Sequence, residues 1–399
     1  MVTIAASTGE PTQMRVKHSI GFMIVLLGLG LVLVSDPQAA VGLRVTAVSG
    51  SQTHGGTITL TGSGFGTKSS AAPMKYDDFQ NLANGQDPSG NGWNTAGHFK
   101  PVASNARVRP GTPFVRNLRA HFNGTVPFSQ EGDASNFSLV GRSFPKAYVD
   151  FWMYADSTSI GGRKPQNIKI FRLHQDGTGD PNAYWSTTVV PGGGGDSNCA
   201  AADGTTSQDW AGCAPSNLSL NGNIPNNAFP GTEFWDRWHH FQVMAAAGSN
   251  GAANGTWVLY VDGRLRYNRP GNIALTRSGY DHWAEIWLGN YIRSEEWDGD
   301  AYFMWESVYV DNSWARVEIG NNPVYSACTL RETQVPTSWS DGSISVRVNR
   351  GQFPSLSGAY VFVIDEQGNI SPGFPLSGGG GTGGGTTPAA PAGVRIVSS

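Results

Sequence analysis

The chain has few charged residues, few cysteines and almost no helical periodicity. Only 14% of its 399 residues are charged and the formal net charge is -3, which gives no electrostatic basis for binding nucleic acid or an anionic membrane surface. The three cysteines form no C-x-x-C pair and no H-x-x-x-H occurs, so neither a zinc site nor a haem site is expected. The 53 glycines and 23 prolines instead predict an all-β protein of short strands joined by tight turns.

An apolar run near the N-terminus predicts export. Residues 20–34 are apolar throughout and follow Arg15, Lys17 and His18, which is typical of the hydrophobic region of a signal peptide and short for a membrane span. We therefore expect residues 1–40 to be a signal peptide, with an uncleaved anchor as the alternative. The rest of the chain is then secreted or at the cell surface, with no membrane contact beyond this segment.

Export places the cysteines in an oxidising compartment. Cys199 and Cys213 bracket a polar stretch rich in glycine, alanine and serine, and we predict a disulfide between them that closes a surface loop. Cys328 is left over and is expected to be a buried thiol.

Two segments far apart in the chain carry the halves of one pattern. Residues 56–68 read GTITLTGSGFGTK, and residues 338–376 begin SWSDGSISVRV and continue with YVFVIDEQGNIS. Together they resemble an IPT/TIG domain, and this resemblance implies a discontinuous immunoglobulin-like β-sandwich built from residues 41–70 and 326–377. Residues 378–399 read as a Gly-rich linker and C-terminal tail.

The residues between these halves predict a second all-β domain over 74–320. Strand-like runs separated by turn signals point to a sandwich or jelly roll. The run WHHFQVMAAA, followed by TWVLYVDGRL, resembles concanavalin A-like and laminin-G-like domains. This resemblance implies a concanavalin A-like jelly roll inserted into the split immunoglobulin-like domain.

Strand alternation predicts which side chains leave the core. In the strand around Phe151, the residues Val149, Phe151 and Met153 are apolar and face inward, so their neighbours face outward. Applied to four strands, this pattern gives eight outward residues expected to bind a polysaccharide by ring stacking and hydrogen bonding. They are Asp150, Trp152, Arg172, His174, His240, Gln242, Glu285 and Trp287.

Motifs for catalysis are weak. The paired acids of retaining glucanases, E-x-D-x-x-E, are absent, so a glycoside hydrolase is not expected. Arg172, His174 and Gln175 loosely resemble the Q-I-H strand of alginate lyases and supply a base and carboxylate-neutralising groups. The R-T-E-L-R and Y-F-K-A-G-x-Y motifs of those enzymes are missing, so whether the chain is an enzyme stays open.

The jelly-roll resemblance also implies a calcium ion held between the first and last strands. The positions that match are Asp77 or Asp78 and Glu306 or Asp311, which would need further oxygen ligands to complete the coordination.

Three functions follow from these patterns. The first is a non-catalytic module that binds a polysaccharide or cell-surface glycan. The second is a polysaccharide lyase that cleaves a uronate-containing glycan. The third is a structural surface or filament subunit that self-associates, with residues 378–399 reaching a neighbour.

Overall fold

The computed structural model describes residues 42–96, 100–123, 136–156, 168–174, 184–189, 199–201, 236–249, 252, 254–273, 281–292 and 300–376. The chain divides into two compact units, Met1–Asp36 and Pro37–Ser399, and every described residue lies in the second. The predicted signal peptide, Cys213 of the predicted disulfide and the tail 378–399 lie outside the described residues. Within these ranges no helix is long and apolar enough to cross a membrane.

The described residues form β-strands, with only two 3₁₀ helices, Pro88–Asn91 and Tyr325–Ala327. The all-β class predicted from the glycine, proline and turn pattern is thus confirmed. The strands are β1 Arg44–Gly50, β2 Thr57–Ser63, β3 Lys75–Asp77, β4 Asn94–Ala96, β5 Val102–Ser104, β6 Asn117–Asn123, β7 Asn136–Leu139, β8 Lys146–Asp156, β9 Ile168–His174, β10 Tyr184–Val189, β11 Cys199–Ala201, β12 Trp238–Ala246, β13 Gly255–Val261, β14 Arg264–Ile273, β15 Glu285–Ile292, β16 Asp300–Asp311, β17 Arg316–Gly320, β18 Arg331–Thr333, β19 Val335–Ser340, β20 Ser343–Arg347, β21 Tyr360–Ile364 and β22 Phe374–Pro375.

These strands make four antiparallel sheets. An eight-stranded sheet has the order β14-β13-β12-β8-β16-β6-β5, with β3 also paired to β16. A six-stranded sheet has the order β11-β10-β9-β15-β7-β4. Two four-stranded sheets have the orders β1-β2-β20-β19 and β18-β17-β21-β22.

The six- and eight-stranded sheets face each other across the larger hydrophobic core and form the large sandwich. Phe151 and Phe241 enter this core from the eight-stranded sheet, and Phe171, Leu173 and Ile286 enter it from the six-stranded sheet. Side chains alternate along a strand, so the polar neighbours of these residues lie on the two outer faces.

The two four-stranded sheets form a small sandwich around a second core. Ile58 and Leu60 of β2 pair with Val346 and Ile344 of β20, so segments more than 280 residues apart lie side by side in one sheet. The inner faces of both sheets meet through residues such as Val361. The β17 strand belongs to this sandwich, since it pairs with β18 and β21. The sequence pattern had placed the same residues at the end of the inserted domain.

The small sandwich covers part of the outer face of the eight-stranded sheet. Thr333 of β18 donates to Asp150 of β8 at 2.7 Å, and Arg331 of β18 donates to Gln242 of β12 at 2.7 Å. The opposite outer face, on the six-stranded sheet, lies across the larger core from this junction.

Candidate functional site

The eight residues predicted to bind a ligand lie on two different sheets. Four are on β8 and β12 of the eight-stranded sheet: Asp150, Trp152, His240 and Gln242. Four are on β9 and β15 of the six-stranded sheet: Arg172, His174, Glu285 and Trp287. Their strand neighbours fill the larger core, so the predicted outward direction is correct for both groups. The outer faces of a sandwich point in opposite directions, so the eight cannot form one surface.

Asp150 is the centre of a buried hydrogen-bond network between the two sandwiches. Its carboxylate accepts hydrogen bonds from Thr333 Oγ1 at 2.7 Å, Tyr148 Oη at 2.9 Å and Gln242 Nε2 at 3.2 Å. The His240 Nε2 atom lies 3.0 Å from the same carboxylate. Burial alone would raise the pKa of Asp150, but His240 and these hydrogen bonds hold it below its ordinary value.

The network continues through ion pairs supplied by the small sandwich. Arg331 donates to Gln242 Oε1 at 2.7 Å and lies 3.2 Å from the Glu318 carboxylate. Arg316 pairs with the other oxygen of Glu318 at 2.5 Å and places its guanidinium 4.1 Å from the ring centre of Tyr148. These charges are buried, paired and hydrogen-bonded, which is the condition under which buried charges persist.

Arg109 links the sandwiches at a second point. Its fully buried guanidinium lies 2.7 Å from Glu306 of β16 and 2.7 Å from Glu332 of β18. It also stacks on Trp152, with 3.9 Å between the guanidinium carbon and the ring centre. One cation therefore pairs with two buried carboxylates. Burial raises the pKa of Glu306 to about 7, although Arg109 opposes the shift.

These contacts correct the expectation that the first four residues display a surface for a ligand. Asp150, Trp152, His240 and Gln242 point outward from their own sandwich, yet each is at most 7% exposed. Asp150 and Gln242 bond directly to the small sandwich, and Trp152 lies against Arg109, which also pairs with Glu332 of that sandwich. His240 is buried against Asp150 and Trp152.

Replacing Glu306 by Gln is expected to remove a pH-dependent part of the stability. The folded pKa of about 7 lies above the ordinary value of 4.5, so the folded state binds the proton more tightly. As pH rises from about 4.5 to about 7, Glu306 therefore lowers the free energy of unfolding, by up to about 1.4 kcal/mol per pH unit. Urea unfolding across this pH range should show the wild-type free energy falling relative to that of Glu306→Gln. A constant difference would contradict the assignment.

The second four residues form one contiguous cluster on the six-stranded sheet. The register places Glu285 opposite His174 and Trp287 opposite Arg172. The indole Nε1 of Trp287 donates to Glu285 Oε2 at 2.6 Å, and its ring centre lies 4.4 Å from that of His174. We call these four residues the outer cluster.

Exposure within the outer cluster is uneven. Arg172, His174 and Glu285 are at most 4% exposed, whereas Trp287 is partly exposed. Trp287 is thus the member that meets solvent directly, and Glu285 and His174 hold its ring in place. Gln175, the third residue of the lyase hypothesis, lies outside the described residues.

Two features around the cluster were missed from the sequence. Ser138 of β7 pairs with Trp287 and is buried on the same face. The inward neighbours Phe137 and Leu139 were the signal that could have identified this strand. Two residues after Trp287, Gly289 has a φ of 61°, and a Cβ atom there would lie only 2.2 Å from the Trp305 ring. Glycine at this bulge lets β15 pass over the core.

The carboxylates predicted to bind calcium are held by protein donors. Asp77 accepts hydrogen bonds from Phe79 N at 2.8 Å, from Trp93 Nε1 at 2.8 Å and from Asn91 Nδ2 at 2.9 Å. These bonds use the oxygen lone pairs that a calcium ion would need.

The other three carboxylates have separate partners. Asp78 accepts from the backbone of Gln80, Glu306 pairs with Arg109, and Asp311 pairs with Lys68 at 2.5 Å. In the part of the chain that the structure describes, no group of three or more potential metal-ligating side chains converges. The four residues therefore do not assemble the oxygen shell that calcium requires.

The outer cluster combines an aromatic ring, a cation, a carboxylate and an imidazole within one patch. The partly exposed ring of Trp287 can stack on the apolar face of a pyranose, while the buried charged and imidazole groups behind it set the polarity of the patch. Such a patch suits a saccharide better than an apolar ligand.

No protein-family model matches the chain, and no curated protein matches it. Solved structures are similar over about three fifths of the chain. Alginate lyase Aly36B has 12% identity and a TM-score of 0.42, over 61% of this chain and 97% of that chain. An endo-beta-1,4-glucuronan lyase from the fungus Trichoderma reesei has 13% identity and a TM-score of 0.39, over 60% and 95%. The PL-14 alginate lyase from Aplysia kurodai has 12% identity and a TM-score of 0.39, over 60% and 99%.

Proposed function

We propose that the protein binds a polysaccharide on the outer face of its six-stranded sheet. The observation that carries this proposal is the outer cluster itself, in which Trp287 is partly exposed and held by Glu285 and His174. An indole fixed in this way loses little conformational freedom when a sugar ring stacks on it.

The charges in the outer cluster indicate which class of glycan it binds. Arg172 and Glu285 are at most 4% exposed, so their charges lie behind the indole and act on a ligand through the electric field of the patch, not through direct contact. The positive charge of Arg172 favours a carboxylate on the bound sugar. We therefore propose a uronate-containing glycan at the surface of a cell or in its matrix, bound by an exported protein.

Replacing Trp287 by Ala is expected to weaken glycan binding by roughly thirtyfold, which corresponds to a loss of about 2 kcal/mol at a central aromatic contact. The matched control is Trp287→Phe, which keeps an aromatic face of smaller area and loses the indole N–H. Isothermal titration with alginate and polygalacturonate oligosaccharides gives the affinities, and the melting temperature reports the fold. Wild-type affinity in a folded Trp287→Ala variant would contradict the proposal.

A second candidate function, β-elimination of a uronate, rests on Arg172 and His174. The two side chains lie two residues apart on one face of β9. In this reaction the His174 imidazole removes the proton next to the uronate carboxyl, which Arg172 neutralises. The electron pair forms a carbon–carbon double bond, and the glycosidic oxygen leaves with its electrons and takes up a proton. The complete burial of His174 favours binding as the first proposal, because a catalytic base must reach its substrate.

Ultraviolet absorbance separates the two functions. The binding function predicts retention of the glycan with constant absorbance. The lyase function predicts absorbance from unsaturated products that grows with time and disappears in His174→Ala, while Trp287-dependent binding persists.

A further inference from the structure

Among the described residues, the hydrogen bonds and ion pairs that join the two sandwiches do not reach one end of the outer face of the eight-stranded sheet. Two successive rungs there carry polar and aromatic side chains on β6, β16 and β8. Tyr302 of β16 lies between His121 of β6 and Asp156 of β8, and on the next rung Tyr154 of β8 pairs with Trp238 of β12. His121 is exposed, and Tyr302 and Trp238 are partly exposed.

The aromatic rings at this end are arranged as a platform. His121 stacks on Tyr302 with ring centres 4.4 Å apart and planes 20° apart. Trp238 lies against Tyr154 with ring centres 5.7 Å apart. Two aromatic pairs on neighbouring rungs thus lie together at one end of these strands, and the rings of His121, Tyr302 and Trp238 reach the surface there.

One cation in this platform, Arg119, has no anionic partner among the residues that the structure describes. The Arg119 guanidinium lies 4.0 Å from the ring centre of Tyr302, and its buried Nε has no hydrogen-bond partner in the part of the chain that is described. Among the described residues no carboxylate lies within ion-pair distance of Arg119, whereas nearby Arg107 pairs with Asp156 at 3.2 Å. A buried donor without a partner costs free energy, and an anionic ligand group would recover it.

We propose that this end of the eight-stranded sheet is a second binding site, for a carboxylate-bearing saccharide. The sugar ring stacks on His121 and Trp238, and Arg119 receives the carboxylate in a charge-assisted hydrogen bond. The site is built from residues of β6, β16 and β12 and shares no residue with the outer cluster. It therefore stands independently of the function proposed for that cluster, and two sites on opposite faces let one molecule hold two stretches of glycan.

The test is made in a Trp287→Ala background, which removes the principal contact of the outer cluster. Isothermal titration uses a polygalacturonate oligosaccharide and a neutral cello-oligosaccharide of equal length. We expect residual binding of the acidic oligosaccharide in this background, and adding Arg119→Gln or His121→Ala should weaken it by about tenfold. The matched control is Arg44→Gln, an exposed guanidinium on β1 of the small sandwich, which should leave the affinity unchanged.

Three outcomes would overturn the proposal. They are the loss of all binding in Trp287→Ala alone, equal affinity with and without Arg119, and equal affinity for the neutral oligosaccharide. If wild-type binding depends on Arg119 and His121 but not on Trp287, the second site stands and the function proposed for the outer cluster fails.

Discussion

Replacing Arg109 by Met lowers the free energy of unfolding by about 3–5 kcal/mol, the range for removing one partner of a buried ion pair. Arg109 is the only cation within 4 Å of both Glu306 and Glu332 among the described residues. Its loss leaves two buried carboxylates without a counter-charge and removes the guanidinium that stacks on Trp152. The expected result is a large fall in the urea midpoint.

Arg107 provides the matched control two residues away. Its side chain is 46% exposed and lies 3.2 Å from Asp156, so Arg107→Met should cost less than about 1 kcal/mol. A triple variant, Arg109→Met with Glu306→Gln and Glu332→Gln, removes the uncompensated charges and should recover much of the loss. Equal losses in Arg109→Met and Arg107→Met would show that the buried triad does not join the sandwiches.

Replacing Asp150 by Ala is the second large effect, an expected loss of about 3–5 kcal/mol. The change removes the carboxylate that accepts hydrogen bonds from Tyr148, Thr333 and Gln242 and that lies against His240, all of them buried. Because the folded pKa of Asp150 is lowered, its contribution is present above the ordinary pKa of 3.8 and is lost as pH falls through the folded value. Denaturant unfolding at neutral and acidic pH measures both effects.

The same variant separates a structural role from a ligand-binding role. Under conditions where Asp150→Ala remains folded, its glycan affinity should equal that of the wild type. Trp287→Ala should behave in the opposite way, with weakened binding and an unchanged melting temperature. A folded Asp150→Ala protein that had lost binding would restore Asp150 to a ligand site.

The alternation of inward and outward side chains along a strand could be predicted from the sequence. The part of the protein that covers each outward face could not. The pattern that places Phe151 and Leu173 inward follows from the two-residue period of a strand and is confirmed. What covers the outward side of β8 depends on Thr333, which is 183 residues from Asp150. No local pattern reports a contact of that length, so four interface residues had the same sequence signature as a ligand-binding face.

The two halves of the discontinuous pattern illustrate what motifs can supply. Phe65 and Asp341 belong to the separate GSGFG and SWSD motifs, and the backbone N–H of Phe65 donates to Asp341 O at 3.1 Å. Trp339 of the second motif donates to Phe65 O at 3.3 Å. These motifs were paired through a family resemblance, because turn residues and short alternating strands do not identify their own partner.

The calcium prediction likewise rested on residue types alone, without the neighbours that the fold brings to them. A carboxylate in a sequence is equally able to bind a cation or to accept hydrogen bonds from a tryptophan and an asparagine. Asp77 does the latter through Trp93 and Asn91, and neither residue was considered as its partner. Separating these outcomes requires the positions of donors that lie 14 and 16 residues away.

Hydroxyl-radical footprinting tests the claim that a glycan binds the six-stranded sheet at Trp287. Oxidation of tryptophan and tyrosine side chains is measured by mass spectrometry with and without saturating alginate or polygalacturonate oligosaccharide. We expect strong protection of Trp287, with the oxidation of Trp339 on the small sandwich unchanged. Protection confined to other residues, with Trp287 oxidised equally in both samples, would contradict the claim.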